Sequence, residues 1–189
     1  PGTISVIRIR NRCGPYAQER KDRKMKEERA AYEEIASVSD MFMEEIPYVK
    51  WLVNITQILK KEGIDDGLVL ELGCGTGRFT ELMASQGYDM IGVDSSMEML
   101  EQALEKKTKS GLDILYLQQD MREFELYGTV KAVISVCDSV NYILTEEDLE
   151  QVFACVNNYL DPEGIFIFDL KTIHYFRDIT VYCFLADSR

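Results

Sequence analysis

The chain has 189 residues, 46% of them hydrophobic and 10% aromatic, and a formal net charge of −12, which fits one globular domain with a sizeable core. No run of about 18 apolar residues occurs, so no membrane-spanning helix is expected, and an acidic chain is a poor partner for a nucleic-acid backbone. The charge is uneven: Arg8 to Arg29 carries a net +5, leaving −17 for the remainder, a pattern of either a basic arm or a solvated helix face. Five cysteines include no C-x-x-C pair, and His174 is the sole histidine. No metal site is therefore expected, and reduced thiols in a cytoplasmic protein are.

Residues 1–24 read as a leader or a non-native or disordered arm, because "MKEERAAYEEIASVSD" from Met25 reads as a natural start and no secretory apolar segment precedes it. Residues 25–66 form an expected N-terminal helical cap. Within it, Tyr48 to Lys61 is an amphipathic helix, with Trp51, Leu52, Ile55, Ile58 and Leu59 at helical spacing and Gly63 as its stop. Residues 67–189 alternate strands and helices. "LVLEL", "YDMIGVD", "DILYLQQD", "TVKAVISVCD" and "IFIFDL" read as strands. Arg78 to Gln86, "SSMEMLEQALEKKTKS" and "TEEDLEQVFACVNNYL" read as helices, with Ser95 and Thr145 as N-caps. "DPEG" reads as a turn. Such alternation implies an α/β fold with parallel strands and helices on both faces, and a ligand at the carboxyl ends of the strands. Glu71, Asp94, Asp120 and Asp138 all collect there.

The sharpest signal is "ELGCGTGRF". Gly73, Gly75 and Gly77 stand at alternate positions after a strand, where a backbone must turn sharply and admit a close neighbour. A P-loop is excluded because no G-K-[ST] follows, and Arg78 stands where a dinucleotide fingerprint places its third glycine. Glu71 beside the loop would repel a pyrophosphate and attract a ligand bearing ammonium and sulfonium charges. This disfavours an NAD-dependent enzyme.

"ELGCGTGRF" resembles the first motif of the class I S-adenosylmethionine-dependent methyltransferases, [DE]-x-G-x-G-x-G. "GVDSSMEML", "QQDMREF", "VISVCDSVNYI" and "LDPEGIFIFDL" resemble the family's later motifs in order, so that the resemblance spans about Tyr32 to Leu170. It implies a Rossmann-like, doubly wound, mainly parallel sheet of five or six strands with N-terminal helices. It also implies S-adenosyl-L-methionine as cofactor, S-adenosyl-L-homocysteine as product and a small-molecule acceptor. Glu71, Gly73, Cys74, Gly75 and Gly77 would then form the cofactor loop. Asp94 and Ser95 would meet the ribose, Met97, Asp120 and Met121 the adenine, and Cys137 the methyl-donor pocket.

Each role has a plainer alternative in the residues themselves. Asp94 also suits a helix N-terminus, Asp120 a loop cap and Met97 core filling. Cys74 suits a tight loop as a small residue, not as a nucleophile. Asp138 and Tyr142 are candidates for a general base or for substrate contact, and Asp138 or Ser139 equally for capping. His174 and Tyr32 are further substrate-pocket candidates. An N-P-P-Y type motif is absent, which disfavours adenine-N6 or glutamine methylation.

Two departures from the family stand out. Tyr32, Ala36 and Asp40 match its cleft-capping Y-x-x-x-A-x-x-Y-D pattern, but Ser39 replaces the second tyrosine. The usual sixth and seventh strands lack counterparts, so the core reads as C-terminally truncated. The strand "IFIFDL" then needs cover, from "TVYCFLA" or from a second copy in a homodimer through the exposed sheet edge. A degenerate, non-catalytic cofactor-binding protein is the alternative to an active methyltransferase.

Overall fold

The computed structural model of the protein describes residues 3–8 and 48–171. Tyr32, His174, residues 25–47 of the expected helical cap and the C-terminal "TVYCFLA" lie outside the described residues. The elements follow one another as β1 (Thr3–Arg8), α1 (Tyr48–Lys61), β2 (Gly67–Leu72), α2 (Arg78–Ser85), β3 (Tyr88–Asp94), α3 (Met97–Ser110), β4 (Ile114–Gln118), β5 (Val130–Ser135), a 3-10 turn (Ser139–Tyr142), α4 (Glu146–Tyr159) and β6 (Leu160–Leu170).

The strands make one sheet in the order β1-β6-β5-β2-β3-β4. Strands β2 to β6 are parallel to one another. Their order reverses at β2, from which the chain proceeds first outward through β3 and β4 and then back to β5 on the opposite side. That switch point opens a crevice at the carboxyl ends of β2 and β5, where doubly wound sheets take their ligands.

Strands β2, β3, β5 and β6 are largely buried on both faces, as parallel strands covered by helices are, whereas β4 exposes Leu115. On one face Val69, Met90, Ile114, Ala132, Ile134, Ile165 and Ile167 pack against Ile55 and Leu59 of α1 and Phe79 and Met83 of α2. On the other, Leu70, Leu72, Val93, Val133, Phe166 and Phe168 meet Val152 and Val156 of α4 and Phe124. The strand period of two therefore assigns faces at the ends of the strands as well. Glu71, Asp94, Tyr116 and Asp169 all project to the α1 and α2 side.

Three local readings change. The N-cap of α3 is Ser96 and not Ser95: its hydroxyl accepts from Met99 N at 3.2 Å and donates to Glu98 Oε2 at 2.8 Å. The Asp94 carboxylate accepts from Ser96 N at 2.9 Å, which uses Ser95 as the turn and delays the helix by one residue. "DPEG" is a bulge inside β6: Val130 pairs Leu160, yet Ala132 pairs Ile165, and Glu163 takes a φ of 72°. The third concerns the flank of β6. Thr3–Arg8 pairs antiparallel with it, from Thr3 opposite Leu170 to Arg8 opposite Ile165. The edge expected to be open is thus hydrogen-bonded within the chain.

A steric requirement sits under the crevice. Gly92 in β3 has no side chain, and a Cβ there would lie 2.7 Å from the Tyr116 ring and 3.0 Å from Cys74 Sγ. The Tyr116 ring crosses that vacancy from β4 to reach α2. Gly92→Ala should therefore cost about 1–3 kcal/mol through overpacking. Urea denaturation would measure it, and in a Tyr116→Ala background the same change should cost much less, because the clash is gone.

Candidate active site

The glycine loop between β2 and α2 is built by contacts from three sides. Gly73 N and Cys74 N donate to Val93 O at 2.8 and 3.0 Å. Gly75 N donates to Asp94 Oδ2 at 2.8 Å, and Lys106 Nζ of α3 donates to Thr76 O at 3.0 Å. All three glycines have positive φ, of 70°, 53° and 74°. Their space differs, however. A Cβ at Gly73 would lie 2.6 Å from Ser139, and one at Gly77 would lie 2.3 Å from the Tyr116 hydroxyl and 2.9 Å from Ala103. At Gly75 a Cβ would meet nothing within 4 Å. Two of the glycines thus admit the protein's own side chains, and only Gly75 faces open space.

Asp94 ends β3 beside that opening. Its two oxygens accept from Gly75 N and Ser96 N, which joins the loop to the start of α3. Burial raises its pKa while these amides pull it back. Four acceptor positions on a carboxylate leave room for further donors. Met97, at the first position of α3, is 47% exposed, so it is not core filling. Ser95 is exposed as well.

The next wall is the segment after β4. Asp120 is held by Arg122, which donates from Nε to Oδ1 at 2.8 Å and from Nη2 to Oδ2 at 2.5 Å. Arg122 also reaches Asp148 of α4 at 3.3 Å. Met121 adjoins the loop, its Cε 3.3 Å from where a Gly73 Cβ would stand.

Across the crevice, β5 leads into Cys137 and Asp138, two successive non-glycine residues at φ 60° and 69°. Left-handed backbone costs about 1–2 kcal/mol per such residue, and here it is held by local bonds. Ser139 Oγ donates to Gly73 O and Val136 O at 3.0 and 2.9 Å. Asp138 N donates to Asp169 of β6 at 3.2 to 3.3 Å. The Asp138 carboxylate pairs with Lys171 Nζ and accepts from Asn141 Nδ2 at 3.2 Å. Tyr142 is 64% exposed. Burial pushes the Cys137 thiol up to about 12 and the Cys74 thiol well above its ordinary value, so neither is a thiolate nucleophile.

A family profile described as a methyltransferase domain matches residues 69–164. The chain belongs to the methyltransferase domain family. It is 40% identical to the YqeM protein of Bacillus subtilis (strain 168) over 142 residues, covering 75% of this chain and 56% of YqeM. Among solved structures it resembles an S-adenosylmethionine-dependent methyltransferase from Clostridium acetobutylicum ATCC 824, with a TM-score of 0.66 and 30% identity over 75% of this chain and 58% of that one. Streptomyces venezuelae DesVI follows with a TM-score of 0.64 and 28% identity, covering 70% and 56% of the two chains. The chain therefore spans a little over half the length of these relatives.

Within this methyltransferase domain the crevice brings together Glu71, the glycine loop, Asp94, Ser95, Met97, Asp120, Met121, Cys137 and Asp138. Four of its residues escaped sequence reasoning. Thr80 and Tyr116 reach Glu71 and the loop from α2 and β4, which only the sheet order reveals. Arg122 was legible as the partner in "DMR". Asp169 was legible as an acid in the apolar run "IFIFDL".

Asp169 is 2% exposed. Burial first, and then the Asp138 charge, raise its pKa to about 6, while Asp138 N and Lys171 pull it down. An acid raised in the fold contributes stability that is present below its unfolded pKa and lost as pH rises through its folded one. Asp169→Asn removes that loss and keeps an acceptor for Asp138 N. Its urea midpoint should gain on the native protein's as pH rises from about 4 to about 7. Parallel midpoints would contradict the assignment.

Proposed function

We propose that this domain binds S-adenosyl-L-methionine and transfers its methyl group to a small-molecule acceptor, releasing S-adenosyl-L-homocysteine. The observation that carries the reading is the Asp94 carboxylate at the end of β3, fastened to Gly75 N and Ser96 N beside the one glycine of the loop motif whose Cβ position is open. A fixed carboxylate with spare lone pairs suits a vicinal diol, because both hydroxyls donate charge-assisted bonds. Gly75 lets a ligand approach the backbone. The exposed Met97 offers an apolar, polarizable contact for a base, and Asp120, held rigid by Arg122, offers an acceptor for its amino group. Glu71 and Asp94 make the pocket suit a cation and not a pyrophosphate.

The cofactor supplies a methyl carbon already activated by attachment to a positively charged sulfur. The chain's residues need to bind, align and exclude water, and alignment alone contributes roughly 7–11 kcal/mol to such reactions. A base is required only for an acceptor that arrives protonated. Asp138, Tyr142 and the added Asp169 are the candidates. Asp169 suits the role, since burial raises its pKa to about 6, close to neutrality. The net charge of −12 supports a small molecule over a nucleic acid. Among the described residues no helix is long and apolar enough to cross a membrane, and we place the activity in the cytoplasm.

Calorimetric titration tests the reading. S-adenosylmethionine and S-adenosylhomocysteine should bind, and NAD should not. Asp94→Ala should weaken binding by about 1.5–3 kcal/mol, or roughly 10- to 150-fold. It should also cost some stability, because Gly75 N and Ser96 N lose their acceptor. A folded Asp94→Ala protein with unchanged affinity would remove the central residue of the reading.

A further inference from the structure

Among the described residues, no cation lies beside the buried acid Glu71. Its side chain is 3% exposed and lies at the end of β2, directly under the glycine loop. Thr80 Oγ1 donates to its Oε2 at 2.5 Å, and Thr80 is itself fully buried. The groups that face Glu71 are Thr80 of α2, Asp94 of β3, Tyr116 of β4, Cys74 of the loop and Cys137 beyond β5. Among the described residues every one of them is neutral or potentially anionic. Arg78, the cation at the start of α2, lies over the Tyr48 ring 5.1 Å away. The Tyr116 hydroxyl interacts with Thr80 and donates to Gly77 O at 3.5 Å.

A buried carboxylate without a positive partner is costly, and the usual escape is to take up a proton. Among the described residues no lysine or arginine faces Glu71, and the first turn of α2 reaches it only through the Thr80 hydroxyl. The charge is instead left for a ligand to complete. We propose that Glu71 is a neutral acid in the free domain and loses its proton to solvent when the cationic cofactor binds, which makes binding a proton-releasing step. The proposal rests on the reading of S-adenosylmethionine as the ligand. Its balance is simple: the O–H bond of Glu71 breaks, the buffer takes the proton, and the carboxylate keeps the electron pair opposite the new positive charge. Burial, opposed by Thr80, raises the Glu71 pKa to about 8. A nearby cation lowers a carboxyl pKa by about one to three pH units. Near neutrality Glu71 therefore passes from mostly protonated to mostly ionised.

The sign follows from linkage. Binding that releases a proton tightens as pH rises towards the free pKa and levels off above it. The ligand's own amino group titrates near 8 and acts in the opposite sense, because a rise in pH removes the charge that is bound. Glu71→Gln separates the two, being isosteric and unable to ionise.

Calorimetry of S-adenosylmethionine binding at pH 7, in two buffers of different ionisation enthalpy, reads the proton count. The expected release is roughly 0.5–1 proton per site. The affinity should rise by up to about tenfold per pH unit below pH 8. Glu71→Gln should abolish the release and leave only the weak opposite trend of the ligand. S-adenosylhomocysteine, which keeps the ammonium and lacks the sulfonium, tells which charge Glu71 meets. Equal release assigns the ammonium, and lost release the sulfonium. Binding by the native protein with no proton release, or with uptake, overturns the proposal and leaves the ligand assignment standing. The absence of S-adenosylmethionine binding at every pH overturns both. A Glu71→Gln protein that folds and still releases the proton assigns it to another group, and one that fails to fold leaves the native proton count as the deciding measurement.

Discussion

One carboxylate joins the two halves of the crevice. Asp94 takes an amide from the glycine loop and another from the start of α3, so the ends of β2 and β3 are tied at one point. The loop cannot open without breaking a charge-assisted bond, and the helix cannot begin earlier than Ser96. The positions of Met97, the open Gly75 and the buried Glu71 all follow from this fastening. The proposed site is therefore largely pre-formed, which lowers the ordering cost that a ligand would have to overcome.

The same loop explains why glycine is repeated. Gly73 and Gly77 are required by Ser139 and Tyr116, side chains that arrive from the 3-10 turn after β5 and from β4. The crevice is thus supported from beneath by its own sheet, and the close approach expected of a ligand is confined to Gly75. Electrostatics follow a similar division. Asp120 and Asp138 carry their own cations, Arg122 and Lys171. Among the described residues, Glu71 and Asp94 meet only hydroxyl and amide donors. In the proposed site, paired acids shape the walls, and Glu71 and Asp94 suit a cation between them.

The fold was legible wherever pattern is local. The helix Tyr48–Lys61 could be bounded from its apolar spacing and Gly63, and the parallel strands from their apolar runs. β1 was not read as a strand, although "TISVIR" alternates, because its pairing with β6 spans almost the whole described chain and the neighbouring basic residues drew attention away. The sequence favours Ser95 as the cap, with Glu98 three residues on, and the Asp94 carboxylate accepting from Ser96 N moves the start to Ser96. At the site, the acids at strand ends were legible from the parallel topology. Tyr116 was not, because its reach over Gly92 depends on β4 lying next to β3. The bulge at "DPEG" was read as a turn because Pro162 and Gly164 punctuate a strand and a turn alike.

Hydrogen–deuterium exchange with and without S-adenosylhomocysteine tests the central claim most directly, namely that the crevice at the ends of β2 and β3 is the cofactor site. The amides of Gly73–Gly77, Ser95–Met97 and Asp120–Arg122 should gain protection on binding, while those of the α1 surface at Asn54–Lys61 should not change. Binding that leaves the glycine loop and the start of α3 unprotected, or that protects the α1 surface instead, would contradict it.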